Sequence, residues 1–206
     1  MAQAVITVNA GGSSDLVKSN EVDWATARNA ASADSESADQ GSVRARKDGA
    51  SDFSISRAPI PFILTSIPVG STIQSATLKF TYADLGGGII NTNTCDLDIV
   101  LLSSMADSTN ADVADYNKFG TTVGGSIAFS SITTGALANS ITLNATALTW
   151  ITSAIGGTVL LGVRNSRDTD NSEPTGVNAI DAITQDSYQL TIDYVPTGGS
   201  FLLDMI

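Results

Sequence analysis

The densest group of residues able to do chemistry is Asp168-Thr169-Asp170-Asn171-Ser172-Glu173. Alternating oxygen-bearing side chains after a strand suit a hard cation that takes six to eight oxygens, which makes Asp168, Asp170, Asn171 and Glu173 candidate calcium ligands. The run is not an EF-hand. Glu173 stands where the sixth-position glycine belongs and Ala179 where the bidentate glutamate belongs. A solvated acidic loop with Asx turns explains the same residues and is the preferred expectation. Asp112 and Asp115 are weaker candidates of the same kind.

Other chemistries are excluded by what the chain lacks. It contains no histidine, which removes the commonest general base and both the Ser-His-Asp and Cys-His arrangements. The single cysteine, Cys95, excludes an intrachain disulfide and tetrahedral zinc sites. It lies in a strand-like apolar run and is expected to be a buried thiol. No glycine loop precedes a helix in the way a phosphate site requires. The aspartates are scattered, and no pair stands out as a glycosidase acid and base. Enzymatic activity is not expected.

Sugar binding asks for exposed aromatic rings with polar neighbours. Trp24, Tyr116 and Phe119 fall in loop-like context and are the candidates for it, although aromatics make up only 6% of the chain and core or loop-anchoring roles compete. Arg57 sits inside an apolar run and, by alternation, shares a face with Phe53 and Ile55. A partly buried arginine there needs a carboxylate or carbonyl partner. Arg164 and Arg167 are expected to pair with Asp168 or Asp170. Arg44, Arg46 and Lys47 are expected to be a solvated basic loop.

These residues must be positioned by strands. Over residues 73–82, Ala76, Leu78, Phe80 and Tyr82 alternate with Ser75, Thr77, Lys79 and Thr81, a half-buried strand. Residues 188–195 alternate likewise, and 157–164 form a more fully buried run. Further strands are expected at 4–8, 53–60, 62–64, 96–102, 126–129 and 140–143. The Pro68-Val69-Gly70-Ser71 turn and the Gly86-Gly87-Gly88, Gly124-Gly125 and Gly156-Gly157 runs punctuate them. One short helix is expected over 145–151, with Trp150 plugging the core. Residues 32–49 and 103–125 are expected to be irregular loops.

Length and composition agree with one all-β domain over residues 1–196. A 206-residue chain with 42% hydrophobic residues can build a core, and only 15% charged residues leaves Ser, Thr, Asn and Gly to cover it. The formal net charge of −11 disfavours nucleic acid. No signal peptide or membrane span is visible, so synthesis in a reducing cytoplasm is expected. After a Gly-Gly-Ser hinge, residues 197–206 end in an apolar run. Phe201, Leu202, Leu203, Met205 and Ile206 are the candidate assembly interface, folding back on their own sheet or docking on a neighbour by strand addition.

Several stretches in order resemble a known group of modules: Asp23-Trp24-Ala25-Thr26-Ala27-Arg28, then residues 53–62, then the run 66–78 with its Pro68, Gly70, Ile73 and Ala76-Thr77-Leu78, then 161–168, then 174–178, and finally 188–194. Together, over roughly residues 20 to 195, they resemble the DNRLRE-type and carbohydrate-binding-module-like jelly-roll domains, which also occur in phage and prophage structural proteins. The chain departs from that pattern at Ile63-Leu64-Thr65, where an aspartate and a serine are usual. The resemblance implies a jelly-roll β-sandwich of about eight or nine antiparallel strands. With no secretory signal and a sticky C-terminus, it implies a non-enzymatic virion component: a capsid decoration, tail or fibre subunit. Such a subunit would be assembled in the host cytoplasm, and then be found in the virion or outside the cell. Its expected partners are other virion proteins and itself as a homo-oligomer, with no nucleic acid and no membrane. The alternative is a glycan-binding surface module. A structural calcium is the only cofactor left open.

Overall fold

The computed structural model describes residues 1–7, 14–37, 41–49, 51–83, 88–107, 111–183 and 188–197. The strands in chain order are β1 (Ala2–Thr7), β2 (Asp15–Glu21), β3 (Ser35–Ser37), β4 (Gly41–Lys47), β5 (Phe53–Ile63), β6 (Thr72–Tyr82), β7 (Ile89–Asn91), β8 (Asp96–Leu101), β9 (Gly125–Ala128), β10 (Gly135–Thr142), β11 (Thr158–Asn165), β12 (Val177–Ile183) and β13 (Gln189–Val195). Three helices, α1 (Trp24–Asn29), α2 (Ala145–Ser153) and α3 (Ser166–Thr169), and two 3₁₀ segments complete the described chain. Every strand pairing is antiparallel and the two sheets pack face to face, so the expected all-β sandwich is the observed fold.

The first sheet runs β1-β13-β6-β12-β4-β5, with β2 also on β5, β10 on β6 and β7 on β12. The second is β5-β11-β8-β9. Strand β5 belongs to both. Residues 53–57 pair with β2 and β4, whereas 58–63 pair with β11. Pro59 and Pro61, two residues apart, point their missing N–H groups to the same side. That half of β5 has its ladder to β11 alone, so both prolines fit an edge.

Alternation along the strands divides the interior into two apolar layers. Ile60 and Phe62 of β5, Leu97 and Ile99 of β8, and Val159, Leu161 and Val163 of β11 face Leu78, Phe80, Leu190 and Ile192 across the sandwich. The opposite faces of β5 and β8 carry Phe53, Ile55 and Val100, with Leu102 just past the end of β8. These pack under α1 and the 3₁₀ segment Val113–Lys118, with Trp24, Ala27, Tyr116 and Phe119.

The thirteen strands exceed the expected eight or nine because short and polar segments also pair. Residues 32–49 are not one loop: β3 and β4 lie within them, β4 with Val43 and Ala45 buried. Within the stretch 103–125, residues Val113–Lys118 form a 3₁₀ segment. There Asp112 caps Ala114 N at 2.8 Å and Asp115 reaches back to Asp112 N at 3.1 Å. Asp112 and Asp115 are thus capping residues. The expected split of 53–60 from 62–64 is also corrected, since both prolines are accommodated inside β5. No described helix is long and apolar enough to cross a membrane.

Candidate functional site

The site lies on the outer face of the second sheet. The β5–β11 register, which sets Val163 opposite Ala58, brings Arg57 beside Arg164, and Arg164 stands opposite Asp98 of β8. Three charged side chains therefore form a row across three strands, on the face away from the main core. Asn165 caps α3 by accepting from Arg167 N at 2.9 Å. The short helix that follows turns Asp168 back over the row.

Asp168 is fully buried and is held by both arginines. Arg57 donates from Nε to Oδ2 at 2.8 Å and from Nη2 to Oδ1 at 2.9 Å. Arg164 donates from Nε to Oδ2 at 2.8 Å and from Nη2 to Oδ1 at 2.7 Å. Both contacts are bidentate, the strongest form of guanidinium–carboxylate pairing. The remaining guanidinium hydrogens go to main-chain carbonyls: Arg57 to Tyr116 and Arg28, Arg164 to Phe119, Gly120 and Asp168. Burial works against the charged carboxylate, but the attraction and hydrogen bonds of Arg57 and Arg164 outweigh it and hold Asp168 at about 2. Asp98 shows the reverse balance. Burial pushes its carboxyl up to about 7, with Asp170 and Asp96 adding to the rise and the Thr169 hydrogen bond and Arg164 opposing it.

Arg28, at the end of α1, adds a third guanidinium. Its Nε donates to Asp168 O at 2.8 Å and its Nη1 to Asn29 Oδ1 at 3.3 Å. In front of it opens a cavity of about 220 Å³, lined by Arg28, Asn29, Ala30, Arg57, Asn117, Phe119, Thr121 and Arg164. Asn117 and Phe119 also line an adjoining cavity of about 420 Å³. Trp150 of α2, Leu101, Ser103 and Thr122 also line it.

Two glycines set the walls of this groove. A Cβ at Gly162 would lie 2.6 Å from Phe119 Cε1, and one at Gly124 would lie 2.4 Å from Trp150 Cζ3. The bare backbone at these positions lets each ring close on the sheet. Asn144, the N-cap of α2, accepts from Thr146 N and Ala147 N and donates to Val123 O at 2.9 Å, which ties the helix carrying Trp150 to the Gly124 turn.

The candidate sugar-stacking rings are not exposed platforms. Trp24 is buried, donates from Nε1 to Asn171 Oδ1 at 3.2 Å and packs on Phe53 with ring centroids 6.2 Å apart. Tyr116 is fully buried. Its hydroxyl donates to Ala27 O at 2.9 Å and the Arg57 guanidinium lies 4.1 Å from its ring centre. Phe119 is buried with only part of its surface on the groove. All three fasten α1 and the 113–119 segment onto the sheet, the anchoring role that large buried aromatics with one satisfied polar atom perform. Trp150 packs against the main core as expected, but it is only half-buried, on a helix that runs two residues longer than expected, and its remaining surface lines the groove.

The acidic run does not converge either. Asp168 faces its arginines, and Asn171 adopts a left-handed φ of 56° and accepts from Trp24. Glu173 is exposed and pairs with Lys47 at 2.7 Å, and Asp170 caps α3. Among the described residues, no group of three or more acidic, cysteine or histidine side chains is placed to hold a metal ion. Arg57 has both the carboxylate and the carbonyl partners expected of it and Arg164 pairs with Asp168 as expected, while Arg167, also expected on Asp168 or Asp170, donates to Asn93 O at 3.0 Å. Arg46 and Lys47, expected in a solvated loop, stand on β4, where Arg46 pairs with Asp48 and Lys47 lies 4.9 Å from the Phe53 ring centre. Cys95 is buried, and burial raises its thiol. Residues 201–206, with the candidate interface Phe201, Leu202, Leu203, Met205 and Ile206, lie outside the described residues.

No model of a known protein family matches the chain, and no curated protein is significantly similar to it.

Proposed function

We propose that the chain is a non-catalytic structural component of a phage-like virion, a capsid decoration, tail or fibre subunit that acts by assembly. The observation that carries this is the edge of the first sheet. Among the described residues, strand β1, Ala-Gln-Ala-Val-Ile-Thr, ends the strand order and pairs with β13 on one side, and it contains neither a charge nor a proline. Edges of soluble proteins are normally blunted by charge, proline or a bulge, and an unblunted edge is a template for another strand. Val5 on this strand is 55% exposed. At the end of the same edge, Met1 and Val195 are exposed beside the Val69 turn, whose carbonyl accepts from Thr197 Oγ1 at 3.1 Å. The apolar residues 201–206, which lie outside the described residues, are proposed as a second docking element. The resemblance to phage and prophage jelly rolls points the same way.

The test is the mass of the purified protein by light scattering after size exclusion. The wild type is expected to form a defined oligomer that Val5→Lys, or removal of residues 201–206, dissociates. Val5 is exposed, so the lysine leaves the core intact. A wild type that stays monomeric at every concentration tested overturns assembly through itself.

A second reading, glycan binding, is favoured by the half-buried Trp150 facing Asn117, Thr122 and Ser103 across an open groove. An aromatic wall with amide and hydroxyl neighbours suits a sugar ring. The two readings are compatible, since a fibre or decoration subunit is placed to touch a cell surface. Loss of saccharide binding in Trp150→Ala, with binding retained in Trp24→Phe, is the expected pattern; equal loss in both counts against the groove.

A further inference from the structure

Charge is distributed unevenly around the smaller cavity. Three guanidiniums, Arg28, Arg57 and Arg164, line it, and no carboxylate does. One buried carboxylate, Asp168, lies behind them. Asp98, which stands opposite Arg164 on β8, is pushed up to about 7 by burial and so is partly protonated near neutral pH. The cluster is therefore strongly positive in a chain whose formal net charge is −11. Buried cations beyond their partners are costly unless an anion or dipoles compensate them. Arg57 and Arg164 are compensated by Asp168 and by carbonyls. Arg28 is held more loosely: it is only half-buried, its Nε donates to the Asp168 carbonyl and lies 3.8 Å from the carboxylate that the other two share, and its bond to Asn29 is long at 3.3 Å. Its fork stands at the mouth of a cavity whose other polar groups are the neutral Asn29, Asn117 and Thr121.

We infer that the Arg28 cavity is an anion subsite, and that it takes the carboxylate or sulfate group of an acidic saccharide whose ring lies against Trp150. This rests on the glycan-binding reading given above. Asn117 and Phe119 line both cavities, so a single ligand can run from Arg28 to the indole. A guanidinium edge recognises either oxyanion through paired N–H donors. Asn117, Thr121 and Thr122 supply amide and hydroxyl groups for sugar hydroxyls along the way. Neutral sugars gain only the Trp150 half of the site. The acidic group supplies selectivity, and with it a dependence on ionic strength.

Titration calorimetry on the full chain tests this with an oligogalacturonate, a sulfated galactan oligosaccharide, a neutral galactan oligosaccharide of the same length, and sodium sulfate. The variants are Arg28→Gln, Arg28→Lys and Trp150→Ala. The Arg28 carbonyl that Arg57 uses survives both Arg28 substitutions, and an unchanged thermal midpoint confirms the fold. The expected result is that at least one acidic oligosaccharide binds at least tenfold more tightly than the neutral one. Arg28→Gln and Trp150→Ala should each remove that margin, and Arg28→Lys should restore part of it. Equal binding of acidic and neutral oligosaccharides, unaffected by Arg28→Gln but lost in Trp150→Ala, overturns the anion subsite while the groove reading stands. Binding of sulfate that depends on Arg28, with no response to Trp150→Ala for any oligosaccharide, overturns the saccharide as ligand. No binding of any probe overturns both.

Discussion

Arg57 and Arg164 hold the same carboxylate from adjacent strands, each through two hydrogen bonds to Asp168 of 2.7 to 2.9 Å. The arrangement joins β5, β11 and α3, and through the carbonyls of Arg28, Tyr116 and Gly120 it also fixes α1 and the 113–120 segment. Removing the carboxylate leaves two buried guanidiniums without a counter-charge. Asp168→Asn is therefore expected to destabilise the fold by about 3–5 kcal/mol, the range for breaking one partner of a buried ion pair. Urea denaturation at neutral pH measures it, and a loss under about 1 kcal/mol would show that the carbonyls alone satisfy the arginines. The group's folded value, about 2, lies below the ordinary carboxylate value of 3.8. Its contribution is thus complete above pH 4 and fades as the pH falls through 2.

Asp98 gives the opposite pH dependence. Its folded value of about 7 lies above the ordinary 3.8, so between these two values the folded chain binds the extra proton. Stability that is present below about pH 4 is lost as the pH rises toward 7, by up to about 4 kcal/mol for a shift of this size. Asp15, also raised by burial, adds to the same trend. Asp98→Asn keeps the hydrogen-bonding shape and removes the titration. The variant is expected to melt higher than the wild type at pH 8 and about equally at pH 4. A wild type with a flat melting profile from pH 4 to 8 would place Asp98 in a wetter site than its burial implies.

Local pattern carried much of the fold. Period-2 alternation marked β6 and β13 because Leu78, Phe80, Leu190 and Ile192 need only their own sheet's pleat to be recognised as inward. The same alternation put Arg57 on the face of Phe53 and Ile55, where it stands. Strand β4 was hidden because its inward residues, Val43 and Ala45, are small and its outward ones are Arg44 and Arg46, a composition that resembles a solvated loop. Strand β12, Val-Asn-Ala-Ile-Asp-Ala-Ile, lacks clean alternation and pairs through residues far away in sequence. The site was the least legible part. Trp24, Tyr116 and Phe119 sit in irregular chain, which suggests exposure, yet their burial depends on Gly162, Ala27 and Phe53 approaching from other segments. Trp150 on a short helix suggests burial, yet the part of it left exposed lines a groove with Asn117, Phe119 and Thr122, residues far away in sequence. The runs of Gly124-Gly125 and of Gly162 inside an apolar strand were the available signals of close approach.

Those glycines yield the sharpest test of the groove's construction. A methyl at residue 124 would meet the Trp150 ring at 2.4 Å and Ala147 Cβ at 2.9 Å, both inside contact distance. The turn cannot retreat, because Gly124 N donates to Ile99 O at 2.7 Å and Gly124 O accepts from Asn144 N at 2.8 Å. The ring must therefore swing out. Gly124→Ala is expected to cost about 1–3 kcal/mol, the usual range for overpacking. It should also shift the Trp150 indole N–H resonance while leaving that of Trp24, which is bonded to Asn171, in place. In a Trp150→Ala background the obstruction is gone, so the same substitution should cost at least about 1 kcal/mol less, a coupling typical of residues in contact. An equal cost in both backgrounds would mean that the strain is in the backbone at 124 and that the indole is not what the glycine accommodates.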